Sequence, residues 1–509
     1  MSSITNNSLN EVTRLKGDKP LTCIVGAGFA GLLTAIQLTE KCNDDMQVVI
    51  IEKPRPQSNT RIAGMRIRAR GTGTRTDDRF EQEAEVVSLL SKQNDGKETP
   101  EMIHFARLLA EELETWSKRL IAIDPELVHD NPIWFGPQWG IPNQGGKGRG
   151  YSILSEFKRL ALNMGIAFLQ GEVYSLTRQH NLITQLNVAQ NRNEGFSLSP
   201  KMVILANGNA GGTLYKSTNM PIDHSATELL YKAGLPITGT TINMLHPFGR
   251  KRENGQPAFG CYETDDLANS TVYLPNGQID TETTYLLRNH MAHDKFREIA
   301  LRFSDQGGIV RIVDNMTGEE HIAGVSVHYS QLGTVTTDGV SVKGMSNLKA
   351  VGDAVGPSYW TNNRKRSPGI ALANCLVTAR LASDLAIDSL NDDKDNNTLT
   401  NRRRIMSKVT DLQALRRAPE GLRNINTKNV LELTFGSQDA QGTLDTWDDE
   451  LNTLDQGNEL VRLSRALIRG WNRRIRGENE PIAIVDNEIG KNIEGNMPAE
   501  DFSPLRYRL

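Results

Sequence analysis

The most constraining feature of this chain lies near its start, where Gly26-Ala27-Gly28-Phe29-Ala30-Gly31 directly follows the β-prone run 21–25. Residues 32–41 then carry apolar positions at helical spacing, so the segment reads as strand, glycine turn and helix. Each glycine has its own physical task. The first permits a tight turn, the second lets a pyrophosphate approach the backbone at the helix N-terminus, and the third lets helix pack on strand. Residues 46–51 form a second buried strand that ends in Glu52, 21 residues after Gly31. A carboxylate there accepts hydrogen bonds from ribose hydroxyls, which suits FAD or NAD and repels the 2′-phosphate of NADP.

A second segment separates the two cofactors. Residues 347–351 read as a strand, Gly352-Asp353-Ala354 follows, and 370–385 reads as a helix rich in small apolar residues. Alone, Asp353 reads as a turn residue that caps a helix. Coupled to the first motif, it resembles the Gly-Asp element of two-dinucleotide-fold flavoproteins, where that Asp meets the ribityl chain and phosphate of FAD.

Composition narrows the class. At about 150 residues per domain, 509 residues suggest two to four structural units. With 58 Lys and Arg against 61 Asp and Glu, the net charge of −3 argues against a nucleic-acid binder. Cys23, Cys42, Cys261 and Cys375 form neither a CxxC pair nor a cluster with His, so neither zinc nor a disulfide framework is indicated and a reducing, cytoplasmic setting fits. The first twenty residues lack the apolar core of a signal peptide. The 19 uncharged residues 21–39 approach the ~18–20 needed to cross a bilayer, but they hold the glycine motif, and no transmembrane segment is expected.

Four further segments carry a family resemblance. These are 201–212 with Leu214 and Tyr215, Leu245-His246-Pro247, His328 to Gly333, and 366–377. In that order they make residues 21–385 resemble the flavoprotein family of fumarate reductase, the succinate dehydrogenase flavoprotein subunit and L-aspartate oxidase. The resemblance implies an α/β fold: a Rossmann-like FAD-binding domain interrupted by an α+β cap domain, with a helical C-terminal region. The expected boundaries are 20–234 and 326–395 for the FAD-binding domain, 235–325 for the cap and 396–509 for the C-terminal region. FAD would be held by Gly26, Ala27, Gly28, Phe29, Ala30, Gly31, Glu52, Lys53, Arg61, Gly64, Val173, Ala206, Asn207, Gly208, Gly352, Asp353, Gly369, Ile370 and Ala371. Non-covalent, dissociable FAD is expected, because no His between Lys53 and Glu101 could form a histidyl link.

By the same resemblance His246, His328 and Arg366 face the flavin and hold a substrate carboxylate. An Arg fork binds a carboxylate bidentately, and imidazoles add directional donors. Arg364 competes with Arg366: Asn363-Arg364 matches the family's dipeptide, whereas spacing favours Arg366. The stretch 259–264 lacks the arginine that the family's fumarate reducers use as proton donor. This favours an FAD-dependent oxidase or dehydrogenase that oxidises an amine or an α,β-carbon pair, as in the L-aspartate oxidase branch. Glu263, Tyr262 and His246 are the candidate bases.

Two other functions remain open. Gly352-Asp353-Ala354 followed by Pro368-Gly369 also resembles segments of flavin monooxygenases (hydroxylases) and halogenases, although the ordered His246 and His328 segments argue against these. The other is a non-catalytic FAD-binding interaction protein. Between Lys53 and Arg79, eight basic residues face only Asp77 and Asp78, enough to attract a small anionic substrate or to neutralise a pyrophosphate. Trp134 and Trp139 sit in a Pro- and Gly-rich loop and serve either as pocket wall or as packing anchors. Residues 102–120 read as a core helix, and 391–397 as a polar linker. The stretch 402–476 is Arg-rich and largely helical in pattern, and its basic clusters, Arg402-Arg403-Arg404 and Arg473-Arg474-Ile475-Arg476, read as a solvated or homo-oligomer contact face rather than a nucleic-acid site.

Overall fold

Strand β1 (Leu21–Val25) is apolar at nearly every position, which marks a strand buried on both faces, and it lies at the centre of a five-stranded sheet. The computed structural model of the chain describes residues 19–42, 45–53, 58–62, 65, 79–93, 96–130, 133–135, 149–191, 194–217, 219, 221–241, 243–253, 257–262, 264, 266–289, 291–305, 308–356, 370–392, 419, 421–435, 439–456 and 458–477. Helix α1 (Phe29–Lys41) carries the chain to β2 (Gln47–Glu52). After α2 (Pro100–Ile123) and α3 (Arg149–Asn163), β3 (Ala167–Gln170) joins the outer edge of β2. An antiparallel layer of β4 (Glu172–Gln179), β5 (Leu182–Ala189) and β6 (Gly195–Leu198) precedes β7 (Met202–Leu205), which pairs with the other side of β1.

The rest of the chain builds a second sheet and returns. A short helix, α4 (Ala226–Lys232), precedes β8 (Asn243–Lys251), β9 (Pro257–Cys261) and β10 (Ser270–Tyr273); helix α5 (Phe296–Asp305), β11 (Ile309–Asp314) and β12 (Glu320–Ser330) follow. These five strands form an antiparallel sheet in the order β9-β8-β12-β11-β10. Strand β12 runs through residue 325, where the resemblance puts the end of the cap. The chain then supplies β13 (Leu348–Ala350), completing the parallel order β13-β7-β1-β2-β3, and α6 (Ile370–Asp392). The polar composition from 391 onward predicts that the linker starts there. The structure corrects this, because α6 continues to Asp392.

The side-chain period of two sorts the parallel sheet into two cores. Ile24, Ile50 and Ile204 face α1, α2, α3 and α6, whereas Cys23, Val25, Val49, Ile51, Val203 and Leu205 face the β4–β6 layer and α4. Alanines 373, 379, 382 and 386 of α6 lie in the first core with α1, where small side chains permit close helix packing. Ser383 donates to Thr34 O across that contact at 3.4 Å.

The C-terminal helices α7 (Leu422–Phe435), α8 (Ala440–Asn452) and α9 (Glu459–Ile475) do not form a core of their own. Leu422, Trp447, Leu460, Leu467 and Trp471 pack in one cluster with Tyr215, Tyr231, Phe248, Phe303 and Val327 of the preceding parts. Asn426 stitches them together: its amide donates to Leu214 O and Ser464 Oγ, and its carbonyl accepts from Trp447 Nε1. The basic face expected at the end of α9 is partly turned inward, since Arg474 donates to Thr241 O at 3.2 Å and stacks on Trp471. Among the described residues, no helix is long and apolar enough to cross a membrane.

Candidate functional site

The carboxyl ends of the central parallel strands lie side by side: Val25 pairs with Ile51 on one side and Leu205 on the other, and Leu205 also pairs with Ala350. The chain leaves β1 in one direction for β2 and reaches β7 on the opposite side, so this edge is a topological switch point, where open α/β sheets bind ligands. The four segments that follow these strands line one cleft of about 870 Å³, counting the space open to solvent. They are 25–30, 51–53, 206–208, and Val351 with Asp353; Ser58, Asn59, Thr60, 171–173, Ile222, His224 and Cys375 complete the walls.

The glycine turn behaves as its spacing implies. Gly26 has φ +104°, and a Cβ there would meet Ala206 O at 2.8 Å. Its amide donates to Ile51 O at 2.9 Å, which locks the turn onto β2. Gly31 lies behind the cleft, and a Cβ on it would stand 2.1 Å from Gly26 O, so only glycine lets α1 approach the turn. At Gly28 the nearest atoms to such a Cβ, Ser58 Oγ and Thr60 Oγ1, are 3.6 and 3.7 Å away. Helix α1 therefore starts beside room for a ligand: Gly28 offers no side-chain cap and the first turn holds no acid, while the Phe29 amide makes a long contact, 3.4 Å, to Thr60 Oγ1. Its positive end is left for an anion.

The opposite wall carries the strand-end acid. Glu52 lines the cleft, and one of its carboxylate oxygens pairs with Lys158 of α3. The Lys53 ammonium pairs with Glu172 at 2.7 Å and donates to Asp223 O at 2.6 Å, so its charge braces the wall. Burial pushes the Asp223 carboxyl up; Lys53 opposes this, and the neighbouring Glu172 and Glu228 charges add to it. Val173 is buried at the cleft. Gly352 backs Asp353 with φ +60°, where a Cβ would press on Ala30 Cβ at 2.9 Å and Cys375 Sγ at 3.1 Å. Its backbone is held from α6: the amide donates to Thr378 Oγ1 and the carbonyl accepts from Asn374.

Of the expected cofactor residues, Gly26, Ala27, Gly28, Phe29, Ala30, Glu52, Lys53, Val173, Ala206, Asn207, Gly208 and Asp353 meet at this cleft. Ala371 stands in the first turn of α6 and is not among the lining residues, and the side chain of Ile370 lies outside those described. Arg61 lies over the Tyr151 ring at 5.1 Å and is not part of the lining. Gly64, Gly369, Arg364, Arg366 and Glu263 lie outside the described residues.

The two histidines sit on adjoining strands, with Leu245 of β8 paired to Val327 of β12, the residue before His328. His246 is buried, its Nδ1 accepts from Phe248 N at 3.1 Å, and its ring lies 4.5 Å from that of Phe296. It is not part of the cleft lining. Tyr262 packs between Arg250 and His321; burial raises its hydroxyl, Arg250 opposing and Glu319 adding.

Several cleft residues were not foreseen, His224 above all. Its neighbourhood did carry a signal: Ser225-x-x-Glu228 is a helix-start pattern, and Ser225 Oγ accepts from Glu228 N. Among the described residues, two buried polar atoms at the cleft, Asn207 Oδ1 and His224 Nε2, have no hydrogen-bond partner. With the open cradle at Gly28, they describe a polar site that a dinucleotide fits.

Residues 22–250 match the FAD binding domain family. No curated protein matches the chain in sequence. Among solved structures, E. coli quinol fumarate reductase FrdA superposes with TM-score 0.58 at 14% identity, over 89% of this chain and 87% of that one. The Mycobacterium smegmatis Sdh1 complex gives TM-score 0.55 at 15% identity over 88% and 84%, and a flavocytochrome c3 fumarate reductase gives 0.51 at 17% over 76% and 81%. The chain thus contains an FAD-binding domain and has the fold of the fumarate reductase flavoproteins.

Proposed function

We propose that this flavoprotein, an FAD-dependent oxidoreductase, moves a hydride between flavin N5 and a small carboxylate-bearing substrate, an amino acid or amine in the favoured direction of oxidation. The reading rests on one observation: the segments that follow four parallel strands, three of them within the matched FAD-binding domain, converge on a cleft at the N-terminal end of α1. In this reading the N-terminus of α1 faces the pyrophosphate, Glu52 accepts from the ribose, the Val173 backbone meets adenine, and Asp353 meets the ribityl chain. Bound there, the isoalloxazine supplies the electron sink, and the chain supplies position and electrostatics.

Substrate recognition is assigned to Arg366, with Arg364 as its competitor and His328 as a further donor. A guanidinium fork fixes a carboxylate in two directions, which orients the adjacent C–H bond. The absence of arginine from 259–264 supports oxidation over fumarate-type reduction. His246, packed against Phe296, is the weakest of the three candidate bases. Anaerobic mixing of the FAD-loaded protein with a panel of amino acids and dicarboxylates tests the reading, with bleaching of the flavin expected for at least one of them. Arg366→Ala should slow that bleaching by about tenfold or more, the equivalent of one bidentate contact. Unchanged bleaching in both Arg366→Ala and Arg364→Ala would remove the anchor, and a panel that reduces nothing would favour the non-catalytic alternative.

A further inference from the structure

His224 is the cleft residue with the most unusual circumstances. It is 2% exposed, and its φ of 49° lies in the left-handed region that side chains avoid unless the surroundings hold them there. The surroundings do so on every side but one. Its amide donates to Glu228 Oε2 at 2.9 Å, and its carbonyl accepts from Asn207 Nδ2 at 2.7 Å. Nδ1 is 3.3 Å from Glu228 Oε1 and 3.2 Å from Lys232 Nζ. Lys232 in turn pairs with Glu228 at 3.1 Å and with Glu459, the first residue of α9, at 2.5 Å. Among the described residues only Nε2 is left, buried and without a partner in a residue that lines the cleft.

A ring held this firmly through one nitrogen, on a strained backbone, with the other nitrogen unsatisfied, is a binding group awaiting its ligand. The loop is also tied to the ribose end of the cleft, because Asp223 O accepts from Lys53, the neighbour of Glu52. We propose that His224 Nε2 hydrogen-bonds the adenosine half of FAD, and that Lys232 and Glu459 hold the ring for this contact. Cofactor affinity then depends on the docking of C-terminal helix α9. His224 is a binding residue, and Glu459 is a positioning residue. The inference rests on FAD occupying this cleft.

The test uses full-length protein stripped of FAD and titrated with FAD or ADP. Glycine accepts the left-handed φ, so His224→Gly removes the imidazole while relaxing the backbone, and asparagine tolerates the same conformation with a shorter polar group. His224→Gly should weaken both FAD and ADP by about tenfold, measured at a temperature where the variant is folded, because losing the partner of Glu228 also lowers the melting temperature of the apoprotein. His224→Asn should recover part of the loss, and Glu459→Gln should weaken FAD about threefold. In protein labelled with ¹⁵N-histidine, the Nε2 resonance of His224 should move on adding ADP. Gly28→Leu, which fills the cradle, serves as control and should abolish binding. If it does so while His224→Gly binds FAD within about twofold of wild type, the inference fails and the site stands. If Gly28→Leu still binds FAD normally, the site itself is misplaced and the inference falls with it. An Nε2 resonance of His224 that is indifferent to ADP makes the residue structural and overturns the proposal. Unchanged affinity in Glu459→Gln overturns the role given to α9.

Discussion

At the scale of single residues, the cleft depends on atoms that are absent as much as on those present. Gly26→Ala would place a methyl group 2.8 Å from Ala206 O on a backbone of φ +104°. A cost of about 1–3 kcal/mol is expected, together with loss of bound flavin, read by thermal denaturation and by the flavin content of purified protein. A variant with full flavin content and an unchanged melt would show that the turn has another way to relax. Glu228 offers a prediction with a pH signature. Burial works to raise its carboxyl, but the His224 hydrogen bond and the Lys232 charge outweigh burial and hold it down to about 2 from an ordinary 4.5. A depressed carboxyl contributes stability that is complete above pH 4.5 and is lost as pH falls toward 2. The contribution is on the order of 3 kcal/mol. Glu228→Gln should therefore be less stable at neutral pH and show a flatter stability profile between pH 4.5 and 2. Parallel profiles for the two proteins in urea titrations across that window would contradict the assignment. Glycines 26, 28 and 31 could be read along the chain because each turn requirement is local. The opposite holds for His224: Asn207, which it bonds directly, and Glu459, which reaches it through Lys232, converge on it only through folding.

At the scale of elements, one buried acid joins three helices. Glu112 of α2 accepts from Gln37 of α1 at 2.5 Å, from Trp116 of its own helix at 2.9 Å and from Arg380 of α6 at 3.2 Å. Burial raises its carboxyl, and hydrogen bonds from Trp116 and Arg380, with the Arg380 charge and Gln37, oppose that rise. Glu112→Ala leaves three donors facing a cavity and should cost about 2–4 kcal/mol. Trp116 fluorescence in a urea titration reads the effect, and a midpoint unchanged from wild type would mean that water replaces the carboxylate. The helices were legible in outline from apolar spacing. Helix α2 was expected over 102–120 and spans Pro100–Ile123, because Thr99 caps it, accepting from Met102 N, and Pro100 suits its first turn. Their mutual contacts were not, since nothing in local spacing pairs Gln37 with Glu112, 75 residues away.

At the scale of the whole molecule, the C-terminal helices belong to the same hydrophobic core as the antiparallel sheet. Truncation after residue 395 would uncover Tyr215, Tyr231, Phe248 and Phe303, which α7–α9 help to bury. Each large apolar side chain contributes about 1.5–3 kcal/mol when buried, so the truncated chain should aggregate or bind hydrophobic dyes. A monodisperse truncated protein with an unchanged melting temperature would refute this. Composition left the role of the C-terminal helices open; packing places apolar residues of α7–α9 in the core and Glu459 within reach of the cofactor cleft through Lys232.

The parallel sheet, the glycine turn, the acid at the end of β2 and the choice of FAD could be read along the chain. Strand-end turns and their spacing are short-range requirements, and short-range chemistry is written in neighbouring residues. The ion pairs of Glu52 with Lys158 and Lys53 with Glu172, the inward burial of His246, the strained His224 and the shared core of the C-terminal helices required the folded chain. Each brings together groups far apart in sequence, whose meeting is set by the packing of whole layers and leaves no local periodicity behind.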